Sequence, residues 1–303
     1  MNRRRFIQQT GTTAAFIGFG GLSLQSFQKA KAKHITILHT NDVHSHIEPF
    51  PATDRRNANR GGFSRRAGIV EAVRKENPNT LLLDAGDIFQ GTPYFNFYGG
   101  ELEFKLMSLL KYDAATIGNH DFDNGIDGLY KQLPHAKFQF LSANYDFKNT
   151  VMDTHVKPYK IFIKDGIKIG VFGIGIELEG LVDKRMFKET KYNDPVSVAQ
   201  DMSRILNNEK HCDLVICISH LGYNYKRDPD KISDLKLASQ TKGIDLIIGG
   251  HTHTFLKKPT ITKNSIGENM LVNQVGWGGI NVGRIDFYFE HSKKEVSGTT
   301  IIV

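Results

Sequence analysis

Ile37-Leu38-His39-Thr40-Asn41-Asp42-Val43-His44 runs from an apolar stretch straight into Asp-x-His, and the rest of the chain repeats that theme. His34 to His39 reads as a strand, with the polar pair just beyond its carboxyl end. Leu81 to Asp84 reads as the next strand and continues into Ala85-Gly86-Asp87. A strand near Ala114 to Ile117 leads into Gly118-Asn119-His120-Asp121. Leu214 to Ser219 leads into His220, and Ile244 to Ile248 into Gly250-His251-Thr252-His253. In open α/β sheets, ligands bind in the crevice at the carboxyl ends of the strands. Loops from five separate strands can therefore converge their side chains on one place.

Amphipathic segments separate these strands. Phe63, Ala67 and Val70 recur at helical spacing within Gly62 to Glu76, which stops before Pro78. Glu101 to Lys111 predicts another helix. Asp165-Gly166, between Lys160 to Lys164 and Ile167 to Phe172, is a hairpin signal. Asp194 caps a helix with Pro195 at its first position, and Val198, Met202 and Ile205 mark its buried face. Leu271 to Val275 and Val282 to Phe289 read as antiparallel strands. No repeat and no Pro-, Gly- or Ser-rich linker divides residues 33–303, so one layered α/β domain is expected there.

Hydrophobic residues make up 40% of the 303, enough for a sizeable core. The net charge of +7 points toward nucleic acid until its distribution is read. Met1 to Ala32 has the order of a secretory signal: Arg3, Arg4 and Arg5, a mild apolar stretch from Ala14 to Leu24, then Ala30-Lys31-Ala32 as a cleavage site. Arg3-Arg4-Arg5-Phe6-Ile7-Gln8 resembles the twin-arginine export signal, which predicts an exported, periplasmic or extracellular protein. The apolar stretch falls short of the roughly 20 residues of a spanning helix, so no stable membrane anchor is expected. Cleavage after Ala32 removes five of the 39 basic residues and none of the 32 acidic ones, leaving 34 against 32, a net +2. No basic stripe for nucleic acid remains. Cys212 and Cys217 bracket a predicted strand that holds them roughly 16 Å apart, beyond disulfide reach, and both read as reduced packing residues.

Asp, His and Asn without a thiolate suit zinc, manganese or iron. A carboxylate can bridge two such ions roughly 3.5–4 Å apart, and the pair lowers the pKa of a shared water and stabilises charge on phosphoryl oxygens. Gly86, Gly118 and Gly250 allow unusual backbone conformations and close approach.

With these loops on the page, the chain resembles the calcineurin-like metallophosphoesterase superfamily, and within it the amino-terminal catalytic domain of 5'-nucleotidases. Ile37 to Ser45 and Gly118-Asn119-His120-Asp121-Phe122-Asp123-Asn124-Gly125 carry the resemblance, which runs from Lys33 to Glu290. It implies a four-layer α/β/β/α sandwich of two packed β-sheets flanked by helices. It implies Asp42, His44, Asp87 and His253 around one divalent metal, and Asn119, His220, His251 and the shared Asp87 around the other. His120 would face the leaving group or the phosphoryl oxygens, with Asp123 orienting and charging its imidazole. The implied activity is phosphoester hydrolysis, foremost of nucleoside monophosphates, by a metal-bound hydroxide. Cyclic-nucleotide phosphodiesterase with 3'-nucleotidase activity is an alternative, as is a metal-bearing module that needs a partner.

Two features depart from the group. Many 5'-nucleotidases carry Gln or Asn at the position of His253. They also continue into a second domain that grips base and phosphate, which is expected to be absent here; a separate carboxy-terminal nucleotidase-domain chain is then one candidate partner. His34, His135, His155, His211 and His291 have no motif around them, whereas His39 and His46 flank the first one. Tyr223, Tyr225 and Trp277 read as core packing rather than cleft lining.

Overall fold

The computed structural model describes residues 32–290 and 293–303. The expected leader, apart from Ala32, and His291 lie outside the described residues. In chain order come β1 (Lys33–Thr40), α1 (Phe63–Glu76) and β2 (Thr80–Asp84). Next are α2 (Pro93–Tyr98), α3 (Glu101–Leu109), β3 (Ala114–Ala115), α4 (Gly125–Gln132), β4 (Gln139–Phe140) and β5 (Tyr145–Asp146). The hairpin of β6 (Tyr159–Lys164) and β7 (Ile167–Ile174) precedes α5 (Lys184–Phe187), β8 (Lys191–Tyr192), α6 (Pro195–Arg204) and β9 (Leu214–Ser219). After α7 (Asp234–Gln240) follow β10 (Leu246–Ile248), β11 (Thr260–Lys263), β12 (Asn269–Asn273), β13 (Asn281–Glu290) and β14 (Lys293–Ile302).

Two six-stranded sheets result, ordered β14-β13-β1-β2-β3-β4 and β11-β12-β10-β9-β7-β6, with β5 and β8 as a small ribbon. β1 to β4 run parallel, as do β7, β9, β10 and β12. Each parallel set therefore delivers its loops to one edge.

The period-2 alternation of the strands decides the layers. Ile35, Ile37, Leu81 and Leu83 of the first sheet pack against Ile169, Val171, Ile216 and Ile248 of the second. The alternate residues Leu38 and Leu82 turn outward onto Val70 and Val73 of α1 and Phe104 of α3. On the far side Phe172, Val215 and Ile247 meet Ala199 of α6 and Leu237 of α7. Full burial of one such side chain is worth roughly 1.5–3 kcal/mol, so three apolar interfaces favour the expected helix/sheet/sheet/helix stack.

Several local expectations are corrected. The inward face of α6 is Pro195, Ala199 and Ser203, while Val198, Met202 and Ile205 are half-buried flanks. The small Ala199 and Ser203 let the helix lie close to the sheet, and the larger side chains straddle the contact. The two late strands lie in different sheets: β13 is antiparallel to both β1 and β14, as expected, whereas β12 is antiparallel to β11 but parallel to β10. β14 was not anticipated, since Lys293-Lys294-Glu295-Val296-Ser297-Gly298 is the polar sequence of a solvated edge strand. The short α2 escaped for want of a full helical period. Cys212 and Cys217 are free.

Candidate metal centre

The turn after β1 is laid alongside the turn after β2. Asp42 N–H donates to the Gly86 carbonyl (2.9 Å), His44 N–H to that of Asp87 (3.1 Å) and Ser45 N–H to that of Ile88 (2.9 Å). Asp42 and Asp87 are both buried in these neighbouring turns. The turn after β10 joins them, because the His251 N–H is shared by both Asp42 carboxylate oxygens at 2.9 and 3.0 Å. His220, after β9, is fully buried beneath.

Five of the seven predicted ligands, Asp42, His44, Asp87, His251 and His253, sit at positive φ between 48° and 71°. L-residues enter this region at a cost of roughly 1–2 kcal/mol each. Such strain clusters where a structure holds side chains for function. Gly86 shares this conformation, at φ 86°. Gly118 does not; its need is space, since a Cβ there would collide with the Asp87 carboxylate. Gly250 likewise is required for its close approach to His220 and the Ala85 carbonyl, rather than for an unusual φ.

The side chains form two triads, Asp42-His44-His253 and Asp87-His220-His251, each with donor atoms within 4.8 Å of one another. Asp87 Oδ2 lies 3.1 Å from His220 Nε2 and 3.8 Å from His44 Nε2, and so faces both groups. Asn119 Oδ1 extends the second triad, 2.9 Å from His251 Nδ1. His253 is the outermost member, its side chain 40% exposed.

The donor set fits divalent cations. The Phe89 carbonyl can only accept, so the His44 contact at 3.1 Å makes Nδ1 the donor and leaves the Nε2 lone pair free. That lone pair faces His253 Nε2 at 3.1 Å. His220 Nδ1 is likewise held by the Ala85 carbonyl at 2.6 Å, while its buried Nε2 makes no well-formed hydrogen bond. Burial alone would lower the pKa of His220, but Asp87 and Asp42 outweigh it and raise the value to about 10. Two buried carboxylates thus call for positive charge at this point, as a proton or as a metal ion. Burial pushes His251 down to about 4 and lowers His44, leaving both as neutral donors.

His120 stands at the rim, with its ring 5.3 Å from that of His44. Its Nδ1 is 3.0 Å from Asp123 Oδ2, and this contact raises the imidazole pKa. Its backbone N–H donates to Asp87 Oδ1 at 2.8 Å. All nine sequence-predicted site residues therefore come together.

Other predicted roles divide. His39 is buried away from the ligands, facing Asn273 at 2.8 Å, with burial holding its pKa at about 3. His46 lies at the rim, stacked on Phe50 at 4.6 Å. Tyr223 packs onto the outer core of the second sheet. Trp277 is corrected: it stacks on His253 rather than in the core, with ring centroids 5.8 Å apart. Sequence reasoning gave no part to Asn41, which donates to Asp42 Oδ2 and to the Gly276 carbonyl, both at 2.6 Å. Nor did it assign Gln274, whose amide ties the Gly250 carbonyl to Thr252 and Thr254. Asn41 adjoins a quoted ligand and was legible as its support; Gln274 carries no such signal.

Two facing sheets of this topology, with Asp and His triads at their loop edges, define an α/β/β/α scaffold with candidate metal sites. The chain belongs to the calcineurin-like phosphoesterase family, which matches residues 35–255. It is 31% identical to the trifunctional nucleotide phosphoesterase protein YfkN of Bacillus subtilis, over 84% of this chain and 18% of that protein. It is 33% identical to the 5'-nucleotidase of Homo sapiens, over 88% of this chain and 49% of that one. The crystal structure of the 5'-nucleotidase precursor from Thermus thermophilus superimposes with a TM-score of 0.80 at 31% identity, covering 89% of this chain and 55% of that one. The chain spans about half or less of each of these proteins' length.

Proposed function

We infer that residues 33–303 form a phosphomonoesterase domain that hydrolyses nucleoside monophosphates with two divalent cations. The observation that carries this reading is Asp87, one carboxylate facing both triads. Asp42, His44 and His253 would hold one cation, Asn119, His220 and His251 the other, and Asp87 both. Zinc, manganese and iron suit these donors. When bound, such a pair supplies an activated nucleophile and Lewis acidity toward phosphoryl oxygens.

The chain's own residues do the rest. The His120 N–H on Asp87 Oδ1 fixes the shared carboxylate, so that Oδ2 faces the ligands. Asp123 holds the His120 Nδ1–H, which aims Nε2 outward to pass a proton to a departing alkoxide. The raised pKa of His120 keeps that proton available. The nucleotide preference is drawn from the named activities of the relatives.

Among the described residues no helix is long and apolar enough to cross a membrane. The arginine-led segment at residues 1–32 supports export by the twin-arginine route with cleavage near Ala32, which amino-terminal sequencing of the exported protein would test.

The activity test is phosphate release by the purified chain from 5'-AMP, 2',3'-cyclic AMP and p-nitrophenyl phosphate, with zinc, manganese or iron added. Metal-dependent release from 5'-AMP, abolished in Asp87→Asn, is expected. Release from the cyclic nucleotide alone, by ring opening to 3'-AMP and then loss of its phosphate, would replace the reading with the phosphodiesterase and 3'-nucleotidase one, and release from none would reject both.

A further inference from the structure

The mouth of the centre carries an aromatic and cationic surface that hydrolysis as described leaves unused. Trp277 lies nearly parallel to His253, with 13° between the rings, and meets Phe50 edge-on at 5.5 Å. The loop that presents it is pinned to the centre, because the Gly278 N–H donates to the Asp42 carbonyl at 2.7 Å. A Cβ at Gly278 would come within 2.9 Å of the Phe50 ring, so glycine at φ 63° lets the loop seat there without displacing that ring.

Phe50 opens a loop closed on itself: its N–H donates to Arg60 (2.8 Å), and its carbonyl accepts from Asn59 (3.0 Å). Asp54 Oδ1 accepts the N–H groups of Arg56 and Asn57 at 2.9 and 2.6 Å. That turn places Arg55, Arg56 and Asn57 with Phe50 and Trp277 around one open cavity of about 430 Å³. The cavity's own lining carries Arg55 and Arg56 against Asp54, a net +1. Two cationic side chains thus stand beside the aromatic rings, with Asp54 on the same wall and its Oδ1 already engaged by the Arg56 and Asn57 N–H groups.

A flat aromatic ring stacks on indole and phenyl faces, and a guanidinium takes a phosphate through two parallel N–H bonds. We propose that this cavity is the leaving-group subsite and that it selects nucleotides bearing a second phosphate. The base lies against Trp277, the reacting phosphate at the two triads, and the second phosphate on Arg55 and Arg56. The assignment rests on the phosphomonoesterase reading above.

The test compares kcat/KM of the metal-loaded chain for adenosine 3',5'-bisphosphate, 5'-AMP and the ringless glycerol 2-phosphate. The wild type should prefer the bisphosphate to 5'-AMP. Arg55→Ala combined with Arg56→Ala should reduce that preference about tenfold, mainly through KM, as expected for a lost charge-assisted contact; the double Lys variant should keep part of it. Trp277→Ala should lower both adenine substrates relative to glycerol 2-phosphate, and Trp277→Phe less so. No bisphosphate preference, or variants that slow all three substrates equally, would overturn this inference alone. Phosphate release from none of the three would overturn the phosphomonoesterase reading and this inference with it.

Discussion

The Asp121 carboxylate accepts the backbone N–H of Asp87 at 3.1 Å and, with the same oxygen, that of Gly118 at 2.8 Å. Its other oxygen accepts from Ile88 and Phe89 at 2.9 and 3.2 Å. Asp87 returns the tie through Oδ1 to the His120 N–H. The turns after β2 and β3 are cross-braced, and Asp87 is fixed from both sides.

Asp121→Asn places an amide NH₂ against two of those four donors. Leaving buried donors unmatched costs about 1–3 kcal/mol, and the turn bearing Asp87 should loosen with it. Denaturant unfolding should show that loss, and metal content should fall at both sites. A variant of wild-type stability and metal content would remove Asp121 from the frame of the centre.

His120 hydrogen-bonds the frame through its backbone N–H, while its ring, edge-on to His44 at 5.3 Å, hydrogen-bonds Asp123, so its side chain should separate turnover from metal binding. His120→Asn should keep both ions yet lose about 10²–10⁴ in rate on 5'-AMP, the usual worth of acid catalysis. The loss should shrink on p-nitrophenyl phosphate, whose leaving group needs little protonation. Asp123→Asn should follow the same trend more weakly. Equal losses on both substrates would make His120 a charge stabiliser instead.

The convergence of the candidate ligands was legible because their pattern is local: an apolar strand followed closely by Asp, Asn or His, five times over. The same strands, read by period, predicted the layers, since Leu81 and Leu83 face one way and Leu82 the other. What could not be read depends on which backbones end up opposite one another. Asp121 stood in a quoted motif, but its four donors come from two different turns. Trp277 was assigned to the core because an indole is read by its hydrophobicity, and only the fold sets it on His253. Nothing local distinguishes the left-handed backbone of Asp42 and His44 from an ordinary turn.

At the far end of β1, Asp286 accepts hydrogen bonds from Thr36 Oγ1 (2.6 Å) and Arg284 Nε (2.8 Å), and lies 2.8 Å from His34 Nε2. Burial would raise its pKa, but these partners outweigh it and hold the carboxyl below its ordinary value. Stability from a depressed carboxyl is complete above the unfolded pKa of about 3.9 and is lost as pH falls through the lower folded value. The stability gap between wild type and Asp286→Asn should therefore be constant near neutrality and close below about pH 4. Denaturation midpoints across that range test it, and a gap that persists to about pH 2 would show that the carboxylate's charge is not what stabilises.

The account turns on Asp87 as the ligand common to two cations, and elemental analysis of the metal-loaded chain tests it most directly. Wild type should carry two ions per chain, and Asp87→Asn, folded by circular dichroism, should lose affinity for both together. One ion or none in the wild type, or a variant that keeps one site at full affinity, would contradict it.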